Sequence, residues 1–86
     1  MVKETTFPFD LSGRTAMMFV QATQEAFKGP IQLGSPSRRV NAKSLLGVLS
    51  LGIKKGDTIS VFYQEEADFR VMEEIINSLK EELQYE

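Results

Sequence analysis

The stretch Asn41 to Ile53, NAKSLLGVLSLGI, decides the reading of this chain. Ser44 stands where a helix should start, because its hydroxyl can accept a hydrogen bond from a backbone N–H two or three residues on. Gly52 supplies the stop. Between them lie Leu45, Leu46, Val48, Leu49 and Leu51, and at about 100° per residue these cover more of the circumference than one buried stripe can take. The spacing predicts Val48 and Leu51 on one side and Leu45, Leu46 and Leu49 on the other, with Gly47 and Ser50 in the gap. A short helix buries one side in its own domain. The Leu45, Leu46 and Leu49 side is then an exposed apolar patch beside a capping serine, the pattern of a partner-binding site.

That helix start also suits a phosphate. A phosphoserine adds about 1.5 to 2 negative charges where free N–H groups and the positive end of the helix dipole can receive them. The same residues also read as a plain cap on a helix whose leucines are all core. Spacing alone leaves both readings open.

Working outward, Val2 to Pro8 reads as a first strand, with Pro8 ending it. A first helix is expected from about Gly13 to Phe27, its stripe formed by Ala16, Val20, Thr23 and Phe27, with Phe19 and Ala26 at the margin and Met17 and Met18 off it. Serine just before a helix makes a good cap, so Ser12 is expected to cap this one. Lys28, Gly29 and Pro30 break the helix, and a short strand follows around Ile31 to Leu33. Gly34 to Ser37 are turn residues and Arg38 to Asn41 returns as a strand. Arg38 and Arg39 read as solvated strand-edge charges. Thr58 to Tyr63 is the clearest strand, with Ile59 and Val61 on one face. The last helix carries Phe69, Met72, Ile76, Leu79 and Leu83 in one stripe, Ile75 beside it, and Glu81, Glu82 and Glu86 as its solvated remainder. Helices set apart from short, turn-linked strands define an α+β class: a four-stranded antiparallel sheet with three helices on one face.

The run Val40 to Ile53 resembles, without a gap, the regulatory-serine segment of the HPr family, the phosphocarriers of the bacterial phosphotransferase system, in its Gram-positive form. A second family signature, Gly-Leu-His-x-Arg-Pro-Ala, is matched only in part by Asp10, Leu11, Ser12, Gly13, Arg14, Thr15 and Ala16. Leucine and arginine agree; histidine, glycine and proline do not. The resemblance covers almost the whole chain, with one extra residue between Gln24 and Pro30, and it implies the HPr-like open-faced β-sandwich. It is nearest to the Crh-type catabolite-repression HPr-like proteins, which keep the serine and lack the carrier histidine, although those typically have glutamine where Ser12 stands.

The chain contains no histidine at all, so no phosphohistidine can form on it. A serine ester is a poor substitute, since its oxygen leaves far less readily than a protonated imidazole. Ser12 occupies the carrier position without the carrier chemistry, and Asp10 adds a carboxylate nearby. What the resemblance implies is phosphorylation of Ser44 by an HPr kinase/phosphorylase, followed by binding to a CcpA-type transcription factor as corepressor. It also places Arg14 across from Ser44, where a guanidinium can pair with a phosphate or an acidic group, and the start of the first helix beside the Ser44 helix, where Met17 can join the leucine patch. Two other functions stay open: a phosphoryl-transfer component working through another residue, and a binding module that uses the leucine patch unmodified.

Composition bounds these readings. The 86 residues make one domain and carry a net charge of −2, which argues against direct nucleic-acid binding. No cysteine is present, excluding disulfides and thiolate metal sites. No apolar run approaches membrane-spanning length, so a cytoplasmic protein is expected, with no membrane partner. No metal cluster, glycine-rich nucleotide loop or nucleophile–base pair stands out, and neither a cofactor nor an enzymatic activity is expected.

Overall fold

The β-branched and aromatic run after the Gly56–Asp57 turn forms β4 (Thr58–Phe62), on which the sheet is built. In this computed structural model, which describes residues 1–84, β4 pairs antiparallel with β1 (Val2–Thr6) on one side and β2 (Gln32–Ser35) on the other. β2 pairs in turn with β3 (Arg38–Asn41), giving the order β1-β4-β2-β3. Thr5 opposes Ile59 and Leu33 opposes both Val61 and Val40. One face of the sheet therefore carries the buried and half-buried side chains, Val40 being the half-buried contribution of β3, as a period of two requires.

Three helices cover that face: α1 (Gly13–Ala26), α2 (Leu45–Ser50) and α3 (Glu66–Leu83). α1 lies in the middle of the layer and packs on both α2 and α3. α3 buries Met72, Ile76 and Leu79 and half-buries Phe69, Ile75 and Leu83, the predicted stripe. Its start is fixed by Asp68, whose Oδ2 accepts the Glu65 N–H at 3.0 Å. Glu81 and Glu82 are exposed, whereas Glu86 lies outside the described residues.

Several expected boundaries shift for physical reasons. β1 ends at Thr6, not Pro8, because Phe7 leaves the ladder and bonds the turn instead: its N–H donates to Asp57 O at 2.9 Å and its carbonyl accepts from Gly56 N at 2.8 Å. Phe7 is fully buried and meets Phe9 and Phe19 edge-on at centroid distances of 6.1 and 5.8 Å, a favoured aromatic arrangement. β2 begins one residue later than expected and absorbs Gly34 and Ser35, which leaves a two-residue turn at Pro36 and Ser37. Ala26 is exposed rather than marginal core. Met18 is half-buried against the core. A helix packed between two others has a wider buried arc than a single stripe, and Met18 falls in the part that faces α3.

Among the described residues, no helix is long and apolar enough to cross a membrane.

Candidate functional site

The end of β3 and the start of α2 form a tight corner. Ser44 has an extended backbone, φ −107° and ψ 119°, and its Oγ accepts the Gly47 N–H at 3.2 Å, so the predicted cap is present. The absence of a side chain at Gly47 lets β3 and the cap approach closely. A Cβ there would lie 3.3 Å from Val40 Cβ and 3.4 Å from Ser44 Oγ. At the far end Gly52 turns the chain in the left-handed region, φ +59°, where glycine alone is free of the Cβ penalty.

The leucines divide differently from the expected two faces. Val48 is fully buried, and both Leu45 and Leu51 are half-buried against the core, while Leu46 is 82% and Leu49 39% exposed. Leu45 and Leu51 each lie three residues from Val48, and three residues turn a helix about 300°, so each sits about 60° to one side of it. The boundary of the buried arc therefore falls between Leu45 and Leu49. Leu45 belongs mainly to the core, and the exposed part of the patch is Leu46 with Leu49.

On α1, which packs on α2, Met17 is 59% exposed and Arg14, in the first turn of that helix, is also exposed. Ser12 sits at the N-cap position of α1 with extended backbone, but its side chain makes no cap hydrogen bond. The expected capping role is thus not seen; the Ser12 carbonyl accepts the Ala16 N–H at 3.3 Å, as any residue there would. Asp10 does not stand idle beside it. Its Oδ1 accepts the Lys55 N–H at 2.8 Å, which ties the loop before α1 to the segment after α2.

Three polar side chains outside the sequence-based site hold α2. Gln24, on α1, donates from Nε2 to the Lys43 carbonyl at 2.8 Å. Arg38, on β3, donates from Nη2 to Ser50 Oγ at 2.9 Å, and Ser50 Oγ donates to the Gly47 carbonyl at 2.6 Å. Arg39 stacks over Phe62, 4.0 Å from the ring centroid. Neither arginine is merely a solvated strand-edge charge. The 19- and 12-residue separations of these hydrogen-bonded pairs left no local periodicity by which to find them.

A four-stranded antiparallel sheet with three helices on one face and its other face open is an open-faced β-sandwich. The chain belongs to the HPr family of the phosphotransferase system: the family model described as "PTS HPr component phosphorylation site" matches residues 6–81. Over 72 residues it is 33% identical to the HPr-like protein Crh of Halalkalibacterium halodurans, covering 84% of each chain. It is 30% identical over 73 residues to the HPr-like protein Crh of Bacillus subtilis, covering 85% of each. Among solved structures, the phosphocarrier protein HPr from Bacillus anthracis superposes with a TM-score of 0.74 at 26% identity, over 90% of this chain and 93% of that one. Crh from Bacillus subtilis superposes with a TM-score of 0.65 at 28% identity, over 86% and 84% of the two chains.

Proposed function

We propose that this chain is a non-carrier HPr-like regulatory protein acting in the cytoplasm. An HPr kinase/phosphorylase transfers the γ-phosphoryl group of ATP to Ser44 Oγ, and the phosphorylated form binds a CcpA-type transcription factor as corepressor in carbon catabolite repression. The observation that carries this reading is a histidine-free sequence within a histidine-phosphocarrier family that keeps a serine at the N-cap of α2. The similarity to proteins called Crh supports it.

The chemistry is consistent. Ser44 Oγ already accepts a backbone N–H, and an ester phosphate at the same place offers stronger acceptors to the N-terminal N–H groups of α2. The phosphate then supplies charge for the partner, and Leu46 and Leu49 supply apolar contact, with Arg14 and Met17 from α1 as the neighbouring polar and apolar contributions. The protein itself performs no catalysis in this scheme; the kinase supplies the base and the nucleotide.

Intact-mass analysis after incubation with an HPr kinase/phosphorylase and ATP, followed by peptide mapping, tests it. One phosphate on Ser44 supports the reading, and none removes it. The exposure of Leu46 favours a second reading, a binding module that works unmodified. Partner capture that is indifferent to kinase and ATP would select that one. Retention of label from phosphoenolpyruvate through enzyme I would instead point to a phosphoryl-transfer component.

A further inference from the structure

The peptide unit that joins Lys43 to Ser44 is held at both ends. Its N–H, on Ser44, donates to the Asn41 carbonyl at 3.0 Å, and its carbonyl, on Lys43, accepts from Gln24 Nε2 at 2.8 Å. The Lys43 N–H is held as well, by Asn41 Oδ1 at 2.9 Å. A peptide plane fixed at its carbonyl and its amide can no longer rotate as a unit, which sets where the Ser44 Cα sits and how its side chain leaves the backbone. The Gly47 N–H, donating to Oγ at 3.2 Å, holds the hydroxyl itself. Of these holders Asn41 is local, two or three residues away. Gln24 reaches in from a different element.

Resting on the reading of Ser44 as the phosphoacceptor, we infer that Gln24 is a positioning residue for that modification. It touches neither the hydroxyl nor the nucleotide. It holds the peptide before Ser44 in the orientation the kinase must engage, and it ties that orientation to α1, the helix carrying Arg14 and Met17. α2 has six residues, too few to hold a shape on propensity alone, so the attitude of its first residues depends on such outside ties. Without the tie, the bound shape is one of several, and apparent affinity falls by its fractional population. The effect belongs in KM, while kcat, set by the kinase's own groups after docking, stays near the wild-type value.

The informative substitution is Gln24→Glu. It keeps the size of the side chain but replaces the amide donor with a carboxylate, which at neutral pH has no hydrogen to offer and repels the Lys43 carbonyl. Gln24→Lys restores a donor of sufficient reach. With the full-length protein, HPr kinase/phosphorylase and ATP, Gln24→Glu is expected to raise KM about tenfold with kcat within about twofold, and Gln24→Lys to recover most of the loss. In parallel, the Ser44 amide of unmodified Gln24→Glu should exchange with solvent about tenfold faster than wild type, with the melting midpoint almost unchanged. Wild-type KM together with wild-type Ser44 exchange would overturn the inference. Faster exchange with unchanged KM would show a tie that plays no part in recognition, and also overturns it. If the wild-type protein accepts no phosphate, the reading of Ser44 fails first and this role for Gln24 falls with it, an outcome distinct from a variant that matches a phosphorylated wild type.

Discussion

Arg38 and Ser50 are joined across the corner between β3 and α2: the guanidinium donates to the hydroxyl at 2.9 Å, and the hydroxyl passes its own hydrogen to the Gly47 carbonyl at 2.6 Å. The short helix is thus clipped from its far end as well as capped at its start. A cation on the C-terminal half of a helix also complements the helix dipole. Replacing Ser50 with alanine breaks both bonds of the clip. Because the site is exposed, the loss should stay near the lower end of the hydrogen-bond range, about 0.5 to 1 kcal/mol, read as a reduced urea midpoint with unchanged slope.

Ser44→Ala removes both the proposed phosphoacceptor and the acceptor for the Gly47 N–H. Mass analysis should find no phosphate after kinase treatment, and chemical denaturation should show a loss of about 1 kcal/mol, the ordinary cost of an N-cap. A phosphorylated Ser44→Ala protein would place the modification elsewhere.

Gly47→Ala sets two effects against each other. Alanine favours a helix over glycine by about 1 kcal/mol, but the new methyl group would press on Val40 Cβ and Ser44 Oγ at 3.3 and 3.4 Å. Val40 is anchored in β3 opposite Leu33, so its Cβ yields only if the strand does. Crowding of this kind costs about 1 to 3 kcal/mol, and a net loss of stability is expected, accompanied by slower phosphorylation as the cap is disturbed. A gain in melting temperature would show that the corner is looser than its distances indicate.

Leu45 and Leu46 separate stability from recognition. Leu46→Ser changes a side chain that is 82% exposed; it should alter stability by less than about 0.5 kcal/mol yet weaken binding of the phosphorylated protein to a CcpA-type factor, measured by titration calorimetry. Leu45→Ala, half-buried against the core, should cost about 1 to 2 kcal/mol, below the range for a fully buried leucine.

The sequence carried the order of elements because the signals were long or doubled. α3 repeats its apolar spacing over five turns, and α2 is marked by a cap at one end and a glycine at the other. The division of the leucines was less legible. α2 spans less than two turns, so several placements of its buried arc satisfy the pattern, and the choice is made by the sheet beneath it. Met18 was misplaced because α1 has neighbours on both sides, a property of the tertiary arrangement. Ser12 shows the limit of residue preference: the residue type and backbone angles suit a cap, and the side chain does not make one. Gln24 and Arg38 could not be assigned at all, since a hydrogen bond between distant segments leaves no local spacing.

The pairing of β1 has a consequence for how the molecule is made. β1 has one neighbour in the sheet, β4, and Val2 lies opposite Phe62. β1 thus has no native strand partner until β4, some fifty to sixty residues further along, has been made, and closing so long a loop comes before any reward from the ladder. The α2 corner, whose side-chain ties from Gln24 and Arg38 join residues 19 and 12 apart, can close much sooner. Assembly should therefore be limited by the docking of the first strand, with the serine corner already shaped when the sheet is completed.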